Sequence, residues 1–380
     1  METGTIAKLR AKLQAKLTKK FVLLLIANVL SLVLFFVCAN RFGELSELLL
    51  SQQMAERWTG SSDTRFAQIS CFFPNDSDVT KMDVMRFRSD LGGKLTENSI
   101  ETVPGGKLWL DAYSASGKLT VTGPRSSATV DAIGIGGDYF AFHPLRLRSG
   151  VYIGGDDLMH DRVVIDVELA WKLFGAIDVA GMEVTLGGLP YIVAGVIERE
   201  SDFVSELAYP ENGGLYLSIE TLQDQTSTGP VCYEVVLPNP ISGFASKLVG
   251  DTFPVKGEVV ENSGRFSLKG IYDVLRAYGK RSMRVGNTPY PYWENAARAI
   301  EDYLVLMLIS STFFVVFPAV CFVVTVVRTT KKVNAKLRVV LRQKGGDLLE
   351  SLRTGKKPGL PPKFVNLPVA KTETDEEEKT

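Results

Sequence analysis

Histidine and cysteine are scarce in this chain, and the common nucleotide-binding and hydrolase motifs are absent. Its 380 residues include four cysteines and two histidines, His143 and His160, and neither histidine has another histidine or a cysteine at metal-ligand spacing. No GxxxxGK phosphate loop and no GxSxG elbow occurs, and the glycines of Gly134–Gly137 do not complete a dinucleotide fingerprint. The sequence therefore predicts no catalytic residue, no metal and no cofactor, and we expect a protein that is not an enzyme.

An excess of positive charge is missing from most of the chain. Lys and Arg number 43, as do Asp and Glu. Residues 1–20 hold six basic residues against one acidic residue, and 328–344 hold seven basic residues and no acidic one. Residues 21–327 carry 24 basic and 35 acidic residues, a net charge of −11. Because nucleic-acid binding needs clustered Lys and Arg to neutralise phosphates, this middle region is not expected to bind nucleic acid.

Two runs without any charge predict two transmembrane helices. Phe21–Ala39 has 19 residues and Tyr303–Val327 has 25, long enough to cross a hydrocarbon core of roughly 30 Å. The alternative for the first run is a cleaved signal peptide ending at Val37-Cys38-Ala39. The length of the run exceeds the usual signal core and favours the membrane helix. Pro318 in the second run is tolerated where a neighbouring group satisfies the freed carbonyl.

Basic residues flank both predicted spans on the side away from the middle region. The positive-inside rule therefore places both termini in the cytoplasm and the protein in the plasma membrane. The predicted order is a basic cytoplasmic N-terminus (1–20), a first span (21–39), an extracytoplasmic domain with helical stalks (40–302), a second span (303–327), a basic cytoplasmic segment (328–357) and a disordered acidic tail (358–380).

This topology predicts the outcome of accessibility labelling. In sealed membranes, an impermeant reagent should modify Lys107 from outside, whereas Lys16 and Lys336 should be modified only after lysis, because the basic flanks stay on the cytoplasmic side. Single-cysteine replacements at the three positions provide the measurement. Modification of position 107 only after lysis would reverse the predicted topology.

The four cysteines fall into two pairs in this topology. Cys38 and Cys321 lie inside the spans, where they are expected to act as small apolar residues. Cys71 and Cys232 lie in strand-like runs of the outer domain, and an oxidising compartment permits one disulfide between them. The sequence leaves open whether the two strands are adjacent.

Hydrophobic spacing predicts an α+β outer domain with two lobes, one strand–helix–strand and one mainly β. In the first lobe we expect a stalk helix over Arg41–Trp58, strands over Thr64–Phe73 and Leu108–Ala115, and a helix over Val79–Leu91 that stops at Gly92-Gly93. In the second lobe we expect a helix over Asp166–Phe174, a hairpin at Gly187-Gly188, and strands over Leu119–Val121, Val130–Ile135, Val151–Ile153, Val163–Ile165, Met182–Leu186 and Tyr191–Val196. A strand over Val231–Leu237 and a helix over Ser242–Leu248 return to the first lobe, and Tyr292–Asp302 forms the second stalk.

Residues 130–197 carry a recurring pattern of glycine, aromatic and aliphatic positions. The pattern comprises Gly134, Tyr139-Phe140, Leu145–Gly150, Leu169-Ala170, Leu173-Phe174-Gly175, Gly181, Gly188, Tyr191, Val193 and Gly195-Val196. In length and order this segment resembles the periplasmic core domain of MacB-type ABC transporter permeases. Helix burial and turn formation explain these residue types, so the matched positions are expected to build the fold.

The resemblance also implies a mechanism. In that family a partner ATPase pushes the cytoplasmic surface of the permease, and the stalks carry the movement to the outer domain. Leu337–Leu352 resembles the cytoplasmic coupling segment, in which a break at Gly345 or Gly346 would separate two helical turns. The alternative is a basic amphipathic helix on anionic lipid. The expected coupling residues are Leu341, Arg342, Gly345, Gly346, Leu348, Leu349 and Leu352.

Two hypotheses for function follow. The usual plan of the family has three helices after the outer domain, whereas one predicted span follows it here. The first hypothesis is a non-catalytic, permease-like subunit of a MacB/FtsX-type ABC system. Its expected partners are an ABC-type ATPase, a full-length permease or a second copy of this chain, and membrane lipid. The alternative is a stand-alone surface receptor or scaffold that uses the same fold without an ATPase.

Overall fold

The computed structural model describes residues 3–60, 64–75, 77–100, 107–155, 157–278 and 288–354. Two compact units are present. One comprises Leu32–Phe314, and the other comprises Met1–Ser31 together with Val315–Thr380. The predicted disordered tail, 358–380, lies outside the described residues.

The elements of the described chain are α-helices and the strands of one mixed sheet. The helices are α1 (Thr3–Ser46), α2 (Met54–Thr59), α3 (Lys81–Glu97), α4 (Tyr139–Phe142), α5 (Val167–Phe174), α6 (Phe203–Ala208), α7 (Ile219–Thr226), α8 (Phe244–Thr252), α9 (Leu268–Ala277) and α10 (Tyr292–Thr354), with a 3₁₀ turn at Leu50–Gln52. The strands are β1 (Phe66–Phe72), β2 (Leu110–Thr122), β3 (Ser127–Gly137), β4 (Arg146–Gly150), β5 (Arg162–Asp166), β6 (Glu183–Leu186), β7 (Leu189–Glu198), β8 (Gly213–Ser218), β9 (Cys232–Pro238) and β10 (Glu258–Glu261).

One ten-stranded sheet runs through both predicted lobes of the outer domain. Its strand order is β10-β1-β9-β2-β3-β8-β5-β7-β4, and β6 pairs with β2 and β7. Pairs β3/β8 and β5/β7 are parallel, and the other pairs are antiparallel. One face of the sheet packs on α3, α5, α7 and α8, and the opposite face packs on α2, α4 and the start of α10. The outer domain therefore combines helices and strands, with helices on both faces of the sheet. This confirms the predicted mixed α and β fold class.

Local sequence signals explain several elements directly. The carboxylate of Asp166 accepts a hydrogen bond from the Leu169 amide at 2.7 Å and caps α5, and Gly175 ends that helix in the left-handed conformation at φ 75°. The hairpin between β6 and β7 turns at Gly187-Gly188, where φ is 55° and 86°. A turn with positive φ at both central residues is the one that glycine pairs favour. The predicted helix and hairpin are confirmed.

Other predicted boundaries were wrong. Helix α3 continues through Gly92-Gly93, because Leu91 and Leu95 are both buried one turn apart and extend its apolar face. The first stalk is interrupted, since α1 ends at Ser46 and a separate helix, α2, begins at Met54. Strand β4 covers Arg146–Gly150 instead of Val151–Ile153. Two predicted strands are joined in β2, where the pairing with β3 runs without interruption from Ala112 to Thr122.

Two helices in the described part of the chain are long and apolar enough to cross a membrane. They are Lys19–Ser46 of α1 and Tyr292–Arg342 of α10, which contain the predicted runs 21–39 and 303–327. Most apolar side chains of both runs are exposed, as expected for helices that contact lipid. Pro318 lies inside α10 and does not end it.

Cys71 and Cys232 do not form a disulfide; both are free and buried. Their strands, β1 and β9, are indeed adjacent, but Cys71 faces Tyr233 and Cys232 faces Phe72 in the antiparallel register. Successive side chains of a strand point to opposite faces. Cys71 therefore joins the core on one face of the sheet and Cys232 the core on the other, so the geometry prevents the bond that the sequence permitted.

Both thiols should be unreactive in the folded protein. Burial raises the pKa of Cys71 to about 12 and raises that of Cys232 well above its usual value. The thiolate is the reactive form, so iodoacetamide at mildly alkaline pH should leave both residues unmodified until the domain is unfolded. Mass spectrometry of peptides labelled before and after denaturation without reductant provides the measurement. Recovery of a peptide pair linked through Cys71 and Cys232 would contradict this assignment.

Candidate functional site

The first turns of α10 are buried in the outer domain at two levels. Tyr292 and Trp293 pack beneath the sheet in an aromatic cluster with Tyr139 and Phe142. Farther along the helix, a second buried cluster forms. Helix α10 contributes Ala296, Ala297, Ile300, Leu304 and Val305, and other segments contribute Leu49, Val204, Phe266 and Ile271. We call this part of the molecule, from Tyr292 to Val305 with its packing partners, the stalk junction.

An arginine from outside the helix binds two acidic residues of the junction, Glu294 and Glu301. Arg265 lies between β10 and α9, and its two terminal nitrogens donate to the Glu294 carboxylate at 2.7 and 2.9 Å. Its Nε donates to Glu301 at 2.5 Å. Arg298 donates to Glu294 at 2.7 Å and to Glu258 of β10 at 2.9 Å. These contacts fasten α10 to the edge strand of the sheet.

The charged side chains of this network are buried, so each charge must be stabilised by its partners instead of by water. Less than a tenth of each of the Arg265, Glu294, Arg298 and Glu301 side chains is exposed. Burial disfavours the charge on Arg265, but the Glu294 and Glu301 carboxylates outweigh that effect and raise its pKa. Burial likewise opposes ionisation of Glu294, but Arg265 and Arg298 outweigh it and lower its pKa. Each charge is stable in the junction only while its partners remain in place.

The segment that follows the first stalk joins the same network. Gln52, in the 3₁₀ turn after α1, accepts a hydrogen bond from Arg265 Nη1 at 3.4 Å. On the neighbouring strand β1, the side chain of Gln68 donates to the Ser51 carbonyl at 2.8 Å and accepts from the Met54 amide at 2.9 Å. Both stalks are therefore tied to the β1–β10 edge of the sheet.

A second buried polar contact lies behind Trp293. His143, next to α4, and Glu234 of β9 are 2.6 Å apart between Nε2 and Oε2, and both are buried. The imidazole ring packs against the Trp293 indole, with ring centroids 4.2 Å apart. The start of α10 thus rests on a polar pair held by the central part of the sheet.

The sequence contained a signal for the junction that the hydrophobic spacing alone did not reveal. Glu294, Arg298 and Glu301 follow one another at intervals of four and three residues, so they share one face of the stalk helix. That face adjoins the apolar residues Ala297 and Ile300. Arg265 had no comparable signal, because it lies 29 residues before Glu294 and only the tertiary fold brings the two together.

The predicted coupling segment, Leu337–Leu352, is part of α10. This helix is continuous from Tyr292 to Thr354 and has no break at Gly345 or Gly346, where the sequence predicts one on docking to an ATPase. Helical propensity of the flanking residues outweighs the cost of about 1 kcal/mol per glycine. Among the coupling residues with described side chains, Leu341, Arg342 and Leu349 are exposed. The exposure of Gly346 and the side chains of Leu348 and Leu352 lie outside the described part of the chain.

Continuity of the helix changes which coupling positions share a face. At 3.6 residues per turn, positions 337, 341, 348 and 352 lie within about 60° of one another around the axis. Position 349 lies about 100° from position 348. The apolar stripe therefore runs through Leu337, Leu341, Leu348 and Leu352, and Leu349 lies to one side of it.

Comparison with known proteins places the outer domain in a family. Residues 51–242 match the family model of the MacB-like periplasmic core domain. Among solved structures, the periplasmic region of MacB from Actinobacillus actinomycetemcomitans is 16% identical, with a TM-score of 0.39 over 62% of this chain and 100% of that one. The extracellular domain of the noncanonic ABC-type transporter YknZ from Gram-positive bacteria is 19% identical, with a TM-score of 0.34 over 52% of this chain and 99% of that one.

A third solved structure, a domain of a putative permease protein from Porphyromonas gingivalis, is 13% identical, with a TM-score of 0.30 over 52% of this chain and 88% of that one. No curated protein matches the chain. The family model covers half of the sequence, and the chain belongs to the family of proteins with a MacB-like periplasmic core domain. It is a membrane-associated protein of the ABC-transporter permease type.

Proposed function

We propose that this chain is a non-catalytic, permease-like subunit that couples a cytoplasmic ABC-type ATPase to the outer domain. The observation that carries the proposal is α10, a single helix of 63 residues that begins inside the outer domain and ends beyond the coupling segment. Secondary-structure elements that connect two sites can carry coupling between them. Displacement of its cytoplasmic end would therefore be transmitted along the helix.

The stalk junction supports this proposal at the outer end of the helix. Buried ion pairs and close packing join α10 to β10 and to the segment after α1. Because a buried charge cannot leave its partners without a large cost in free energy, the junction resists slippage of the helix against the sheet. Movement of the stalk would be passed to the outer domain instead of being absorbed locally.

The cytoplasmic end of α10 provides a surface suited to an ATPase groove. Leu337 and Leu341 are exposed one turn apart, and an amphipathic helix that docks in a groove uses apolar anchors at this spacing. Arg338 and Arg342 lie along one side of the stripe, where charged residues steer association. Within the bilayer, we propose that a full-length permease or a second copy of this chain lies beside the two spans.

Purification of the full chain from its native membranes tests the proposal. A tagged chain extracted in mild detergent should bring with it an ATPase that hydrolyses ATP, identified by mass spectrometry and by its activity. The control is the same purification with Leu341→Asp and Leu348→Asp in the tagged chain, which should recover the chain without the ATPase. Recovery of the wild-type chain without any ATPase would favour the stand-alone receptor or scaffold.

A further inference from the structure

The membrane end of the outer domain carries exposed apolar residues on two short helices. On α6, Phe203 and Leu207 are one turn apart, and Leu207 is 80% exposed. On α9, Leu268 and Tyr272 are one turn apart and are 65% and 54% exposed. Single exposed apolar residues are ordinary, but these four lie on two helices whose buried residues, Val204 and Ile271, belong to one cluster, so they are candidates for a common partner. We call these four residues the foot of the domain.

Helices α6 and α9 both contribute to the cluster that buries the start of the second span. The apolar run starts at Tyr303, yet Leu304 and Val305 are buried by the outer domain. Val204 of α6 and Ile271 of α9 belong to the cluster that buries them. The Phe203 and Tyr303 rings are in edge contact, with centroids 5.3 Å apart. Phe203 of the foot therefore contacts the first residue of the membrane-spanning run.

Helix α9 packs on the same cluster along its length. Just before its start, Arg265 is bound to Glu294 and Glu301. Later in the helix, Val274 and Leu275 pack against the cluster that also contacts Leu308, well inside the apolar run. A helix of ten residues is about 15 Å long. The second half of α9 thus packs on the same cluster as Leu304, Val305 and Leu308 of the apolar run.

We propose that the foot is a lipid-binding surface, in which α6 and α9 lie in the outer interface of the bilayer. Interfacial helices bury their apolar side roughly 5–10 Å into the boundary between headgroups and acyl chains. Tyr272 of the foot and Tyr303 of the span suit this depth, because the amphipathic ring of tyrosine is enriched at the headgroup level. The occupant is phospholipid, since Phe203 contacts Tyr303, the first residue of the uncharged span, and Tyr303 is itself exposed.

Lipid binding by the foot would also restrict the movement of the outer domain, whether or not an ATPase is bound. Lipid contacts at α6 and α9 would fix the height of the domain above the bilayer and oppose tilting about the stalk. Val204 of α6 and Ile271 of α9, which lie on the helices that carry the foot, belong to the stalk junction. A shift of α10 along its axis would therefore change the depth of the foot in the membrane.

Spin-label accessibility in lipid nanodiscs tests the proposal with the full chain. The background carries Cys38→Ala and Cys321→Ala, while buried Cys71 and Cys232 remain. Labels are placed by Leu207→Cys and by Tyr272→Cys, and the nanodiscs contain phosphatidylcholine and phosphatidylglycerol. The control is Met82→Cys, because Met82 is 67% exposed on the first turn of α3, which covers the opposite face of the sheet.

At positions 207 and 272 we expect the collision rate with oxygen to exceed that with a water-soluble nickel complex, as it does in lipid. Position 82 should show the reverse order. The proposal is overturned if positions 207 and 272 favour the nickel complex as position 82 does. It is also overturned if both reagents are excluded and the spectra broaden, because that result would place a second protein copy on the foot. All three labelled positions are exposed, so folding should be unaffected.

Discussion

Replacing Arg265 by methionine should lower the free energy of unfolding of the outer domain by about 3–5 kcal/mol, the usual cost of removing one partner from a buried ion pair. Glu294 would keep a single cationic partner among those described here, and Glu301 would lose its hydrogen bond to Arg265 Nε. Methionine retains much of the volume, so the loss reports the charge more than the packing. Chemical unfolding of the full chain in detergent, followed by tryptophan fluorescence, measures the effect, since Trp293 lies in the junction.

The matched control is Arg41→Met. Arg41 forms an ion pair with Glu44 at 2.6 Å, but 67% and 61% of the two side chains are exposed. An exposed pair contributes about 0–1 kcal/mol, so this variant should unfold almost as the wild type does. Arg265→Lys should fall between the two, because one ammonium group cannot reproduce a bidentate contact and a third hydrogen bond. Equal stabilities of Arg265→Met and Arg41→Met would show that the buried network does not hold the stalk.

The double substitution Leu341→Asp and Leu348→Asp should reduce the affinity for the ATPase by about a thousandfold, because each removes an apolar anchor worth roughly 2 kcal/mol. The outer domain should remain folded, since neither residue belongs to its core. Binding of the purified ATPase to the reconstituted chain measures the effect.

Two controls distinguish the possible origins of such a loss. Leu349→Asp alone should weaken binding less, because position 349 lies beside the apolar stripe of a continuous helix; a loss as large as that of the double variant would indicate a helix that breaks on binding. Neutralising Arg342 and Lys344 should slow association with little change in the dissociation rate. If the segment lies on lipid instead, charge removal would have the larger effect at low salt, where each basic residue contributes about 1 kcal/mol.

The elements that sequence analysis predicted well are those with local chemical signals. Asp166 and Gly175 mark the two ends of α5, and Gly187-Gly188 marks a turn that few other residues could form. Burial patterns identified β1 and β9 as strands, but they gave no register. That register decides that Cys71 and Cys232 point to opposite faces of the sheet.

Glycine was the main source of error at helix ends. Gly92-Gly93 and Gly345-Gly346 each suggested an interruption, yet both pairs lie within continuous helices. In α3 the buried residues on either side compensate for the local preference, and such tertiary packing is not visible in a short window of sequence. The same limit applies to the stalk junction, where Arg265 and Glu294 are joined only by the fold.

Hydrogen exchange of the assembled complex tests most directly whether ATPase state reaches the outer domain through α10. The reconstituted chain and its ATPase are compared with and without a non-hydrolysable ATP analogue, and deuterium uptake is followed in residues 258–277 and 292–303, which contain the stalk junction. The account predicts that the analogue changes uptake in both segments, and that Leu341→Asp with Leu348→Asp abolishes the change. Identical uptake in the two nucleotide states, with the ATPase shown to be bound, would contradict mechanical coupling through the stalk.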